Sequence, residues 1–255
     1  MSRLAAIAAP LALIAVLLAG WEAACHLMAI PSYFLPPPSE IAEATISGAP
    51  VLFLSAWNTL AMALKALVAA SVLACGVALV VALNRLLERA VQPLAVALQV
   101  TPVIAIAPQV VIWAGLENPE RAIVALAVIV AFFPIFSGAL TGLKATDPDL
   151  ERLFDLYGAS RWQRLWRLRI PSSVPFVLEG HKVAGGLAVI GAVVAEFVAG
   201  SGGAQGLAWR ILESSNRLQT ARTFAAVIVL AIMGALLHAA LRYGEQAILR
   251  RLRGR

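Results

Sequence analysis

The chain has 255 residues, 61% of them hydrophobic and only 13% charged, with a mean hydropathy of +0.85. An ordinary globular domain carries about a quarter charged residues, so this composition excludes a water-soluble fold and, by the same apolar content, a disordered chain. The formal charge of +6 comes from basic residues clustered between apolar runs, which marks membrane orientation and argues against a nucleic-acid partner.

A crossing needs about 20 apolar residues, and windows of that size predict six helical spans. They cover Leu4–Met28, Ala56–Leu83, Val91–Leu116, Arg121–Leu143, Phe176–Ala199 and Thr220–Leu241. The runs lack the strict alternation of a membrane barrel. The expected fold class is therefore all-α, one polytopic membrane domain over residues 1–255.

The first run is longer than a signal-peptide core, and Glu22 sits where a lipoprotein cleavage site wants an apolar residue, so an uncleaved span is expected. Near its end Glu22 and His26 form an i,i+4 pair that reads as locally satisfied. Cys25 and Cys75 have no metal spacing and no evident reason to pair, and no metal or cofactor is expected. The following connection, 29–55, carries Glu40 and Glu43 but no Lys or Arg, and its Leu35-Pro36-Pro37-Pro38 run reads as a stiff extended linker.

That connection is expected outside. Arg3, Arg85, Arg89, Lys144, Arg152, Arg161, Arg164, Arg167, Arg169, Arg242, Arg250, Arg251, Arg253 and Arg255 make up 14 of the 20 basic residues. The positive-inside rule places them, with both termini, in the cytoplasm. Lys65 in span two and Glu196 in span five lie at membrane depth, where ionisable groups border a cavity or a partner; both are candidates for a translocation path. The competing readings are a snorkelling Lys65 and a Glu196 that reaches water at the outer rim. Pro102 and Pro108 remove hydrogen bonds inside span three and predict a kink or irregularity.

The connection 144–175 carries helix punctuation twice. Asp147-Pro148 starts a short amphipathic helix over Leu150–Tyr157 that Gly158 stops, and Ser160 with Gln163 forms a capping box for a second helix over Arg161–Arg169, which Pro171 and Pro175 are expected to end. Physics alone allows a membrane-surface helix whose arginines face lipid phosphates. Glu179, His181 and Lys182 enter span five close to the cytoplasm, where solvation is expected. Gly185, Ala188, Ala192 and Ala195 give span five a smooth packing face. Gly200, Gly202, Gly203 and Gly206 predict a turn, and 207–217 a short outer helix.

Gly158, nine residues, then Leu168-Arg169-Ile170-Pro171 resembles the cytoplasmic signature of binding-protein-dependent ABC importer permeases: Glu-Ala-Ala, three residues, Gly, nine residues, Ile, any residue, Leu, Pro. Pro102-Val103-Ile104-Ala105-Ile106-Ala107-Pro108 before Trp113-Ala114-Gly115, and Val194-Ala195-Glu196-Phe197, resemble the nitrate, sulfonate and taurine branch of that family. The resemblance implies a type I importer permease with 144–175 as the coupling loop, a cytoplasmic ATPase partner, and a periplasmic or lipid-anchored binding protein. It also implies a bacterial inner-membrane location, with a second copy of the chain as partner because one chain has six spans and no detectable repeat. Its substrate would be a small anion of the nitrate, sulfonate or taurine kind, or a vitamin precursor.

The chain departs from the pattern where Arg152-Leu153-Phe154 stands for Glu-Ala-Ala. Glu151 and Asp155, four apart on one face, then supply the acidic contact together, or pair with Arg152 or solvent. Around them Arg152, Phe154, Leu156, Tyr157, Gly158, Ser160, Arg161 and Pro171 make up the expected coupling surface; Lys65, Pro102, Pro108, Gly185 and Glu196 make up the expected path. The chain has no Gly-x4-Gly-Lys-Ser/Thr, so ATP hydrolysis is expected in a partner. Two other classes compete. A secondary transporter would show an inverted repeat and leave the two-helix loop unexplained. An intramembrane serine protease needs Gly-x-Ser-Gly, and the nearest match, Pro134-Ile135-Phe136-Ser137-Gly138, lacks the first glycine, while His238 lies alone in an apolar run.

Overall fold

The computed structural model describes residues 3–115, 118–199 and 205–252. Leu116, Gly200, Gly202, Gly203, Arg253 and Arg255 lie outside the described residues. The regular structure among the described residues is helical throughout. The chain divides into two compact units, residues 1–57 with 205–232, and residues 58–204 with 233–255.

In the first unit, α1 (Arg3–Leu27) is followed by a turn and then by α2 (Pro38–Ser47). The proline run is extended only as far as Pro37. Pro38 takes the first helical position, where its missing N–H costs nothing, and a helix follows where a linker was expected. No side chain of its own caps α2. Glu22 of α1 does so instead, accepting from Ser39 N at 3.0 Å and from Ser39 Oγ at 2.7 Å while it also meets His26 Nε2 at 2.9 Å. Then α3 (Ala49–Ala82) begins, seven residues earlier than expected; from Asn58 it belongs to the second unit. α10 (Leu207–Asn216) is the expected short helix, and α11 (Thr220–Leu252), which from Met233 also belongs to the second unit, continues the last span well beyond Leu241. Trp21 packs edge-to-face on Phe224, with ring centroids 6.0 Å apart. Arg210 donates to Ser55 Oγ at 3.2 Å and to Glu213 at 2.9 Å.

In the second unit the expected third span is broken. α4 (Arg85–Val100), capped by Asn84 accepting from Leu86 N at 2.8 Å, meets α5 (Val103–Ala114) at 100°. The break falls at Thr101-Pro102. Pro102 stands just before α5, whereas Pro108 sits inside it without ending it. α6 (Pro119–Lys144) follows its expected course.

The connection after it holds α7 (Pro148–Leu156) and α8 (Arg161–Arg164), and α8 does not stop at the prolines. It widens into a π-turn, Leu165–Arg169, and continues as α9 (Ile170–Ala199), giving one run of 39 residues over Arg161–Ala199. The bond from Ile170 N–H to Leu165 O spans five residues, so the ladder is already opened one residue before Pro171. There a missing N–H and a ring clash are accommodated instead of ending the helix.

α6 and α9 form the most extensive pairing among the described elements. Small residues permit it. A Cβ on Gly180 would stand 2.6 Å from Pro134 O, one on Gly138 2.6 Å from Phe176 O, and one on Gly191 2.9 Å from Ala127 Cα. The smooth face predicted for span five is thus present, with Ala188, Ala192 and Ala195 buried, and Gly185 lies directly under Leu241 of α11. Among the described residues, four helices are long and apolar enough to cross a membrane: α3, α6, the 161–199 run and α11. The bent α4–α5 pair raises the count to five, and α1 contributes the shorter apolar stretch Ala12–Leu27, so the described helices do not reproduce six uninterrupted spans.

Candidate functional site

α7 is built by its ends. Asp147 caps it, accepting from Asp149 N at 2.9 Å, and Pro148 opens it. At the far end Gly158 takes φ +62, with Gly158 N donating to Asp155 O at 3.0 Å and Ala159 N to Phe154 O at 2.9 Å. This six-to-one closure is the left-handed stop predicted from the sequence. Two residues on, the capping box is complete: Gln163 N donates to Ser160 Oγ at 3.2 Å and Ser160 N to Gln163 Oε1 at 2.7 Å.

No residue of α7 is buried. Leu156 and Tyr157 are 85% and 82% exposed, and Phe154 is half-buried beside an open cleft of about 380 Å³ bordered by Leu153, Tyr157 and Arg167. Beyond the turn, Leu165 and Leu168 point inward while Trp162, Trp166, Arg161 and Arg167 are exposed. Pro171 is exposed within the continuous helix.

Arg152 takes neither carboxylate, and solvent reaches Asp155, whose side chain is exposed, far more than Glu151. Arg152 pairs with Asp149 at 3.1 Å. Glu151 accepts from Arg169 Nε at 2.8 Å and lies 3.8 Å from Arg164, and Arg164 also pairs with Asp155. Arg164 further donates to Ala159 O at 3.4 Å. Spacing along the sequence does not reveal these partners of Glu151, because they stand 13 and 18 residues away across a turn.

The polar residues of the spans are also paired through the fold. Lys65 of α3 pairs with Glu120 at the start of α6. Glu196 is 2% exposed and accepts from Thr59 Oγ1 at 2.8 Å, which removes the reading of a carboxylate reaching water. Of the group expected to be solvated in span five, Glu179 is exposed, while Lys182 and His181 are drawn into a network. Lys182 meets Glu179 and, at 2.9 Å, Glu245 of α11, while His181 joins Ser71 Oγ at 2.8 Å and Val177 O at 2.7 Å. Such pairing is what an ionisable group at membrane depth requires. Nothing in the local sequence marks Thr59, Glu120 or Ser71 as partners, since each lies 55 to 137 residues from its mate.

Long apolar helices, internally paired charges and a structured polar connection define an all-α polytopic membrane protein. The chain belongs to the family of binding-protein-dependent transport system inner membrane components, whose profile matches residues 66–254, and is thus a multi-pass permease of ABC importers. It is 36% identical over 230 residues to the formylaminopyrimidine transport permease protein ThiX of Halalkalibacterium halodurans, covering 90% of each chain. Against the taurine transport system permease protein TauC of Escherichia coli it is 31% identical over 237 residues, 90% of this chain and 84% of TauC. The riboflavin transport system permease protein RibX of Chloroflexus aurantiacus is 31% identical over 188 residues, 72% of this chain and 69% of RibX.

Proposed function

We propose that two copies of this chain form the substrate path of an ABC importer in a bacterial inner membrane, with both termini cytoplasmic. ATP is hydrolysed by a separate cytoplasmic subunit, and substrate arrives from a periplasmic or lipid-anchored binding protein. The observation that carries this reading is α7, a capped helix between two spans of a family permease, exposing Leu156 and Tyr157 with nothing of this chain over them. Exposed large side chains on a helix held at both ends suit a groove on a partner. In this reading residues 144–175 are the coupling loop of a single membrane domain, with Glu151 and Asp155 acting from within it. Lys65, Pro102, Pro108, Gly185 and Glu196 belong to the elements that border the path.

The substrate is a small anion or a vitamin precursor. Relatives named for formylaminopyrimidine, taurine and riboflavin transport support that range. The test is reconstitution in proteoliposomes with an ATPase subunit and a binding protein, followed by uptake of labelled taurine, nitrate and formylaminopyrimidine. Uptake should require all three proteins and ATP. Uptake by the lone chain would replace this reading with a secondary transporter.

A further inference from the structure

Two arginines on one helix reach the same carboxylate only because that helix is wound differently there. In an α-helix residues five apart sit roughly 140° from each other around the axis. Arg164 and Arg169 would then face different directions. The π-turn Leu165–Arg169, with its five-residue bond, brings residues five apart nearly into line. Arg169 thereby reaches Glu151 through Nε, and Arg164 reaches Glu151, Asp155 and the carbonyl of Ala159. The side chains of Glu151, Arg164 and Arg169 are each only 21% to 36% exposed, which keeps solvent screening partial. The turn between the two helices is closed at Gly158 and re-opened by the capping box at Ser160, so both sides of the clamp are fixed.

We infer that Glu151 is a positioning residue: through Arg169 and Arg164 it fastens α7 to the N-terminal end of the α9 run, so that the loop and that helix move as one body. This rests on the coupling role proposed above and deepens it. The acidic residue beside the departed Glu-Ala-Ala positions works inside the chain, and the surface left for the ATPase is the exposed side of the loop, with Leu156 and Tyr157 its most exposed large side chains. Motion of α7 in the partner's groove is then delivered directly to α9, which carries Gly185 and Glu196.

The first measurement uses the lone chain in detergent, with Cys25 and Cys75 replaced by serine and spin labels at Tyr157→Cys and Val183→Cys. With labelled chain diluted in an excess of unlabelled chain, so that only the distance within one chain is read, the parent should show one narrow distance and Glu151→Gln should lose it to a broad distribution. An unchanged distance in Glu151→Gln overturns the clamp. The second uses the transporter assembled with its ATPase and binding protein. Glu151→Gln and Arg169→Gln should each lower transport per ATP hydrolysed by about tenfold without loss of ATPase binding, the scale of a charged hydrogen bond. The double variant should be no worse than either single one. Multiplied effects would mean that Glu151 and Arg169 act separately, against the inference. Failure of the parent chain to bind any ATPase would reject the coupling role, while the lone-chain distance would still decide the clamp.

Discussion

Four described helices of this chain are followed by a residue at positive φ: Gly115 (φ +89) after α5, and three others that share one backbone closure, of which only one is a glycine. Gly158 has φ +62, Ala29 φ +47 and Leu218 φ +56. The same backbone closure comes after each: Ala159 N to Phe154 O at 2.9 Å, Ile30 N to Cys25 O at 3.0 Å, and Gln219 N to Ser214 O at 2.9 Å. The glycine was legible because it carries no Cβ penalty in that region; an alanine and a leucine there give no signal, and those two stops were invisible in the sequence. The strain is also testable. A Cβ on Gly158 meets nothing within 4 Å, so the cost of a side chain there is conformational alone, about 1 kcal/mol and least for asparagine. Gly158→Val should therefore leave membrane insertion intact and weaken coupling more than Gly158→Asn, read as ATP hydrolysis no longer tied to uptake. Leu218 is 71% exposed, so replacing it forfeits little packing. Leu218→Asn should raise thermal stability in detergent, by up to about 1 kcal/mol; a lowered unfolding temperature would refute the strain argument.

Helices were easy to find and their joints were not. The apolar runs that became α3, α6 and α11 are long enough for composition alone to identify them. The joints depend on what other elements supply. α2 comes after a proline run that reads as extended, and its first free N–H, that of Ser39, is capped by Glu22 from another helix, which no local pattern announces. Pro171 reads as a stop, yet the π-turn ahead of it lets the helix run on, and Pro108 leaves α5 unbroken while Pro102 marks a 100° break. Proline position therefore marks where a backbone bond is missing, and the surrounding fold decides whether the helix ends, bends or continues there. The α6–α9 pairing makes the corresponding prediction at this scale. Gly180 stands against Pro134 O with no room for a methyl group, and the obstacle is backbone, which cannot rotate away. Gly180→Ala should separate the two helices and cost about 1–3 kcal/mol, the range for overpacking. Thermal unfolding should detect it, and Gly186→Ala on the same helix, with open space at its Cβ, is the control expected to unfold like the parent.

Topology across the whole chain turns on the bent pair, because a 100° break allows either a broken span or a hairpin that re-enters on the side it left. One ion pair supports the broken span. Lys144, the last residue of α6, pairs with Glu88 in the first turn of α4, so those two ends lie at the same level. α6 has 26 residues and is about 39 Å long, enough to cross a hydrocarbon core near 30 Å. Its first turn, and with it Asn118, is then expected at the other face, and the expected course from Glu88 to Asn118 is a crossing by α4 and α5 together. That crossing would keep the alternation expected from the basic residues, with Arg89, Lys144 and the arginines of α8 on one side. In a background with Cys25 and Cys75 replaced by serine, a cysteine at Tyr33 or Asn118 should react with an impermeant thiol reagent applied to intact cells. A cysteine at Gln163 should react only after the membrane is opened. Labelling of Tyr33 alone from outside, with Asn118 protected until lysis, would show that α4 and α5 form a re-entrant hairpin, and would place α6 with its Lys144 end reversed.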